Sequence, residues 1–203
     1  SEEVGETITL TIAGIDDENN SDEETVTIVT VAKAVSVVKY TTRLMYSPTG
    51  DDMSKTFFSS DNGDTYSKDD IEGTADPVSP LIDFGYYYGA TAMATIASPD
   101  AYPAAIYDIS AWGTINETKL KLTEMPVDHF TSIETNENIM MHWAMTDMAD
   151  ADGDVTNLAV DNLVAFELDT EKGAKKGFFL VKAISGTFNS GDYIEIDVVL
   201  EGE

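Results

Sequence analysis

Cysteine is absent from the 203 residues. That excludes a disulfide scaffold, a thiol nucleophile and any thiolate metal site. Positive charge is also scarce. Eleven Lys and Arg, with Arg43 the sole arginine, stand against 38 Asp and Glu, giving a formal net charge of −27. A nucleic-acid binder needs a basic stripe to displace counterions from phosphates, so nucleic acid is excluded as a partner. The same charge repels anionic headgroups, and no apolar run approaches the length that spans a bilayer. Direct membrane insertion is therefore not expected. Catalytic signatures are missing too. There is no G-x-S-x-G elbow, P-loop or dinucleotide fingerprint, and the glycines sit singly in turns. A glycosidase carboxylate pair cannot be picked from so many acids without geometry.

What is present is a globular composition, 42% hydrophobic, with the patterning of a mainly β protein. Thr7 to Ile12 and Thr25 to Val31 alternate with period two, separated by the acidic stretch from Gly14 to Glu24. This predicts a hairpin, which needs further strands to be stable. The pattern resembles the closing hairpin of a bacterial immunoglobulin-like domain whose earlier strands lie outside this chain. Residues 1–33 are thus read as an incomplete immunoglobulin-like β-hairpin. Residues 34–203 are read as an antiparallel β-sandwich or barrel-like module with a few short helices.

In the second part, strands are expected over Ala34 to Tyr40 and Thr42 to Tyr46, then from Phe57 to Ser60. The turn Asp61-Asn62-Gly63-Asp64 follows. Leu81 to Tyr88 reads as a buried strand, with Ile82, Phe84, Tyr86 and Tyr88 on one face and Leu81, Asp83, Gly85 and Tyr87 on the other. Its aromatics suit a core better than a sugar-stacking surface. Short helices are predicted near Ser98 to Tyr102 and Met125 to Phe130, and a longer one from Glu137 to Met148. Three strands close the chain: Leu163 to Leu168, Gly177 to Ile184 and Tyr193 to Leu200. In the last, Ile194, Ile196, Val198 and Leu200 point inward.

Several phrases of this second part occur together: Ser54 to Ser60 with Gly63 to Tyr66, Ile82 to Gly89, Ala94 to Pro99, Trp112 with Asn116 to Lys119, Lys175 to Phe178 and Ile194 to Val198. The set resembles a family of Bacteroidetes-type surface lipoproteins of unknown function, in which an immunoglobulin-like stretch precedes a longer β-rich module. The resemblance implies export, a bacterial extracellular or outer-surface location, and a lipid-anchored or secreted parent. It carries no functional residues. Ser1 to Thr11 has neither the charged nor the apolar region of a signal peptide, so a soluble chain whose export signal has been removed is expected.

Two groups carry candidate chemistry. Asp150, Asp152 and Asp154 alternate around Gly153, and Asp161 follows Asp150 by eleven positions. Hard oxygens at such spacing suit Ca²⁺, whereas a solvated acidic loop is the plain alternative. Gly153 stands fourth where an EF-type loop wants its glycine sixth, and Asp161 replaces the long bidentate Glu. His129 and His142, the only histidines, lie near Met140, Met141, Met145 and Met148. A haem axial pair is conceivable there, but a packed or partner-facing methionine surface is the simpler reading.

The expectation is a non-catalytic cell-surface module, not an enzyme, that binds protein or glycan or acts as a spacer, with no cofactor assigned beyond the candidate Ca²⁺. The alternative is a subunit of an extracellular filament or surface assembly, in which chains self-assemble by strand pairing.

Overall fold

The computed structural model describes residues 7–15, 17–18, 21–29, 34–73, 78–186 and 191–203. The chain divides into two compact units, Ser1–Ala34 and Val35–Glu203.

In the first unit, β1 (Thr7–Ile15) and β2 (Ser21–Val29) form an antiparallel two-stranded sheet. The strands run further into the acidic stretch than its composition suggests. Ala13 faces Glu23 and Ile12 faces Glu24 across the ladder, and both glutamates are exposed. Cross-strand bonding thus overrides their poor strand propensity. Period two puts Leu10, Ile12, Val26 and Ile28 on one face, and all four are exposed.

The second unit is mainly β. One antiparallel sheet has the order β3 (Val38–Tyr46), β12 (Tyr193–Leu200), β11 (Lys176–Ser185), β10 (Leu163–Glu167), β8 (Lys119–Thr123). The other has the order β5 (Thr65–Tyr66), β4 (Phe57–Phe58), β6 (Phe84–Gly89), β7 (Met93–Ala97), β9 (Asp154–Val155). Neither closes into a barrel. Three short helices, α1 (Lys68–Glu72), α2 (Val127–Thr131) and α3 (Asn136–Trp143), complete the described elements with a few 3₁₀ turns.

The core between the sheets is built from Phe58, Phe84, Tyr86 and Ile96 of one sheet and Val164, Phe166, Phe179, Val181, Ile194 and Ile196 of the other. Both sheets are also covered on their outer faces. Leu163, Ala165, Phe178, Leu180 and Val199 pack under Phe130, Ile133 and Ile139 of the α2–α3 region. On the opposite side Phe57, Ile82 and Tyr87 lie beneath Tyr102, Tyr107, Ile109 and Trp112. Strands buried on two faces have no polar alternation to preserve, which is why Leu163 to Phe166 and Phe178 to Val181 read as unbroken apolar runs. Gly177 permits one close approach. A side chain there would strike the Phe166 ring and the Val199 carbonyl.

Three expectations need correction. Ile82 packs in the outer cluster with Tyr87 rather than with Phe84. The 3₁₀ turn Ser79–Leu81 precedes it, so the strand's alternation begins only at Phe84. The stretch expected from Ala34 pairs regularly only from Val38, as β3, which continues through the expected break to Tyr46. The third helix ends at Trp143, five residues before Met148. There the Thr146 hydroxyl donates to the His142 carbonyl and the chain tightens into turns.

Long-range polar ties lock the second unit. Asp83, fully buried just before β6, accepts bonds from the Ser60 N–H (2.7 Å) and from Lys172 Nζ (2.6 Å). Lys172 sits in the 3₁₀ turn Thr170–Lys172 between β10 and β11, and also donates to the Leu81 carbonyl. Asp169 caps that turn through the Glu171 N–H and holds the Glu117 N–H, each at 2.8 Å. These bonds, led by the one from Glu117, hold its carboxyl below the usual range. Asp169→Ala should cost about 1 kcal/mol at neutral pH, as loss of a cap does. A depressed carboxyl stabilises above its unfolded value near ~3.9 and loses that contribution as pH falls through the folded value. Urea unfolding should therefore separate the variant from the parent at neutral pH and bring them together in acid.

Candidate functional site

At one seam of the sandwich two edge strands come together, β3 of one five-stranded sheet and β5 of the other. A cleft of about 600 Å³ opens there, lined by Arg43, Leu44, Tyr46, Lys55, Asp64 and Tyr66, among others.

Arg43 reaches this cleft because β3 carries a bulge. Tyr40 pairs with Val198 and Arg43 with Ile196, so two residues of β3, Thr41 and Thr42, oppose the single residue Asp197. Thr42 takes a positive φ of 56°, unfavourable for a β-branched residue. The Asp197 carboxylate compensates by accepting the Thr42 N–H at 2.8 Å. Residues directly paired across a ladder share a face. Arg43 therefore projects on the same inner side as Ile196 and Tyr40, and its guanidinium lies 5.6 Å from the Tyr40 ring centroid.

The charge environment of Arg43 is unusual for so acidic a chain. Among the described residues every lysine except Lys121 stands within ion-pair distance of a carboxylate. Arg43 does not, although acids outnumber bases more than threefold. Its Nε is buried without a hydrogen-bond partner. Lys55 is occupied by Asp70 at 2.5 Å, and Asp70 also closes the capping box of α1 with Ser67. Tyr46 is exposed and tilts against Tyr193, with ring centroids 6.0 Å apart. Tyr66 is half-buried, and its hydroxyl accepts a bond from Asn62. The cleft thus offers a planar fork of N–H donors suited to a carboxylate, beside two phenol rings.

The aspartates selected for calcium lie elsewhere. Asp150 is exposed at the end of the 3₁₀ turn Met148–Asp150. Asp152 is tied through its backbone to Leu120, and its side chain accepts the Gly153 N–H. Asp154 begins β9, where burial and then the neighbouring Asp152 push its carboxyl upward. Asp161 is exposed in the turn before β10 at φ 69°. Among the described residues no group of three or more His, Asp or Glu is arranged to hold a metal.

The aromatic strand is core, as its pattern predicted. Phe84 and Tyr86 are fully buried and Tyr87 nearly so. Met140, Met141 and Met145 are exposed, whereas Ile139 is buried and Trp143 packs on Phe178. His129 and His142 come within 5.2 Å of one another, centroid to centroid. Arg43 went unselected in the sequence. The one available signal is its two-residue offset from Met45, which places it in phase with a core residue.

No protein-family model and no curated protein matches the chain. Among solved structures the fold is similar to that of a DUF4466 family protein from the Bacteroidetes bacterium Parabacteroides merdae, with a TM-score of 0.52 and 13% identity. The match takes in 98% of this chain and 64% of that one, so this chain spans under two thirds of its neighbour's length. At that identity the likeness is one of fold: a β-rich architecture shared with a Bacteroidetes protein of a family without assigned function.

Proposed function

We propose that the protein is a non-catalytic, extracellular binding module of the Bacteroidetes surface-lipoprotein type. Its cleft between β3 and β5 captures a ligand carrying a carboxylate and a ring. The observation that carries this reading is Arg43: the sole arginine, turned inward by a bulge, its Nε unpartnered and, among the described residues, no carboxylate within ion-pair distance. A guanidinium held for structure alone would find one of the many acids nearby. An external carboxylate would take its fork, and Tyr46 or Tyr66 would supply a face for the ring.

A sole arginine gives a single Nε–H resonance, so the site reports on itself. Titration with glucuronate should move that resonance, and glucose, which lacks the carboxylate, should move it much less. Arg43→Lys should weaken glucuronate binding at least about 10-fold, since Lys lacks the bidentate fork. An Nε–H signal indifferent to glucuronate, acetate and sulfate alike would end this reading.

A second reading, self-assembly by strand pairing, is favoured by the two-stranded sheet β1–β2 and its exposed Leu10, Ile12, Val26 and Ile28. Light scattering that returned a monomer at the highest soluble concentration would remove it.

A further inference from the structure

A second cavity, of about 510 Å³, opens between the loop after β8 and helices α2 and α3. His142, on α3, forms part of its wall and is 4% exposed. Both of its ring nitrogens are buried without a hydrogen-bond partner. A neutral imidazole carries one N–H and one lone pair, and a buried ring normally satisfies at least one of them. His129, on α2, is exposed at the rim, with its ring centroid 5.2 Å from that of His142 and the planes inclined by 37°. Met125 and Met145 line the same cavity. Met145 follows His142 by three residues, with its N–H bonded to the His142 carbonyl, so it remains on the same side of the continuing turn.

We propose that His129 and His142, together with the thioethers of Met125 and Met145, bind one monovalent copper ion. The donor set decides the metal. Calcium requires six or more oxygens, and structural zinc requires three or four nitrogen, thiolate or carboxylate ligands. Glu124 and Asp147 also line the cavity, but among the described residues no group of three or more His, Asp or Glu is arranged to hold a metal, and the chain has no cysteine. Two imidazoles and soft thioether sulfur suit Cu(I), which accepts low coordination numbers. A copper ion on one nitrogen of His142 satisfies the lone pair that the fold leaves unpartnered. The strongly acidic surface raises the local concentration of any cation. No redox step is implied, because the ion enters and leaves as Cu(I).

The test is competition for Cu(I) between the whole chain and bicinchoninate, under reductant and without oxygen. The chain should withdraw one equivalent. His129→Ala, at the exposed rim, should lower the affinity by more than the roughly 100-fold that loss of a supporting contact costs, with an unchanged melting curve. Met145→Leu preserves bulk and removes the sulfur, and should lower it about 10-fold. X-ray absorption of the loaded chain should show copper–sulfur scattering that diminishes in Met145→Leu. Failure of the parent to take copper from the probe overturns the proposal. So does unaltered binding in His129→Ala, or Zn²⁺ binding as tight as that of Cu(I).

Discussion

Lys172→Met should lose about 3–5 kcal/mol of stability at neutral pH, as expected when one partner of a buried ion pair is removed. Asp83 is fully buried, and Lys172, itself only 11% exposed, is the cation that faces it at 2.6 Å. Without that ammonium the Asp83 carboxylate keeps only the Ser60 N–H. The second carboxylate near Lys172, Asp61 at 3.2 Å, is half exposed to water and loses far less. Burial already pushes the Asp83 carboxyl upward, against the pull of Lys172 and of Ser60. Loss of Lys172 pushes it further. The sign of the pH effect follows. A carboxyl raised above its unfolded value of ~3.9 stabilises fully below that value and loses the contribution as pH rises through the folded value. The deficit of Lys172→Met relative to the parent should therefore be largest near neutrality and shrink in acid. Urea unfolding of both proteins at two pH values measures this. An equal deficit at both would show that lost packing, not charge, is responsible. Asp83→Asn combined with Lys172→Met should recover most of the loss, since the double variant buries no unpaired charge.

Phe84→Ala should cost a similar amount, about 3–5 kcal/mol, as truncation of a fully buried aromatic does. Phe84 stands where the two sheets meet. Its ring stacks on Phe58 at 5.0 Å within its own sheet and meets Phe179 at 5.5 Å and Phe166 at 5.9 Å across the interface. Each such aromatic pair contributes roughly 0.5–1.5 kcal/mol beyond the buried area. Phe84→Leu should therefore recover the hydrocarbon burial but not the ring contacts, and fall between alanine and the parent. Met53→Ala, at a largely exposed side chain, is the control and should stay within about 0.5 kcal/mol. A Phe84→Ala loss no greater than that of the control would mean the two sheets do not share one core.

Legibility in the sequence followed the range of the interactions. The closing strand was readable because Ile194, Ile196 and Val198 alternate with Glu195 and Asp197, and these three and Leu200 are buried; only Val199, buried on the outer face, breaks the alternation. The Asp61 to Asp64 turn was readable because Gly63 supplies a positive φ of 73° between paired Phe58 and Thr65. Local chemistry settles both. The end of α3 was misplaced because Ala144, Met145 and Met148 are good helix formers. The helix nonetheless gives way after Trp143 to tighter turns, beside which the Thr146 hydroxyl takes the His142 carbonyl. The candidate site was less legible still. Arg43 depends on a bulge that Asp197 holds from 155 positions away, and the Asp83–Lys172 pair spans 89. No window of neighbouring residues encodes either. The aspartates around Gly153 illustrate the converse, since regular spacing along a chain does not by itself gather side chains around a point.

The pairing of β3 with β12 has a mechanical consequence. Val38, where the chain enters β3, is the register partner of Leu200, where it leaves β12, and Asn136 bonds Gly202 in both directions beside it. Entry and exit of the second unit therefore lie side by side at one pole. Tension between the two ends would peel β3 from β12 one hydrogen bond at a time, because the load would fall on the outermost pair first. Such an antiparallel edge resists load bond by bond, not as a whole.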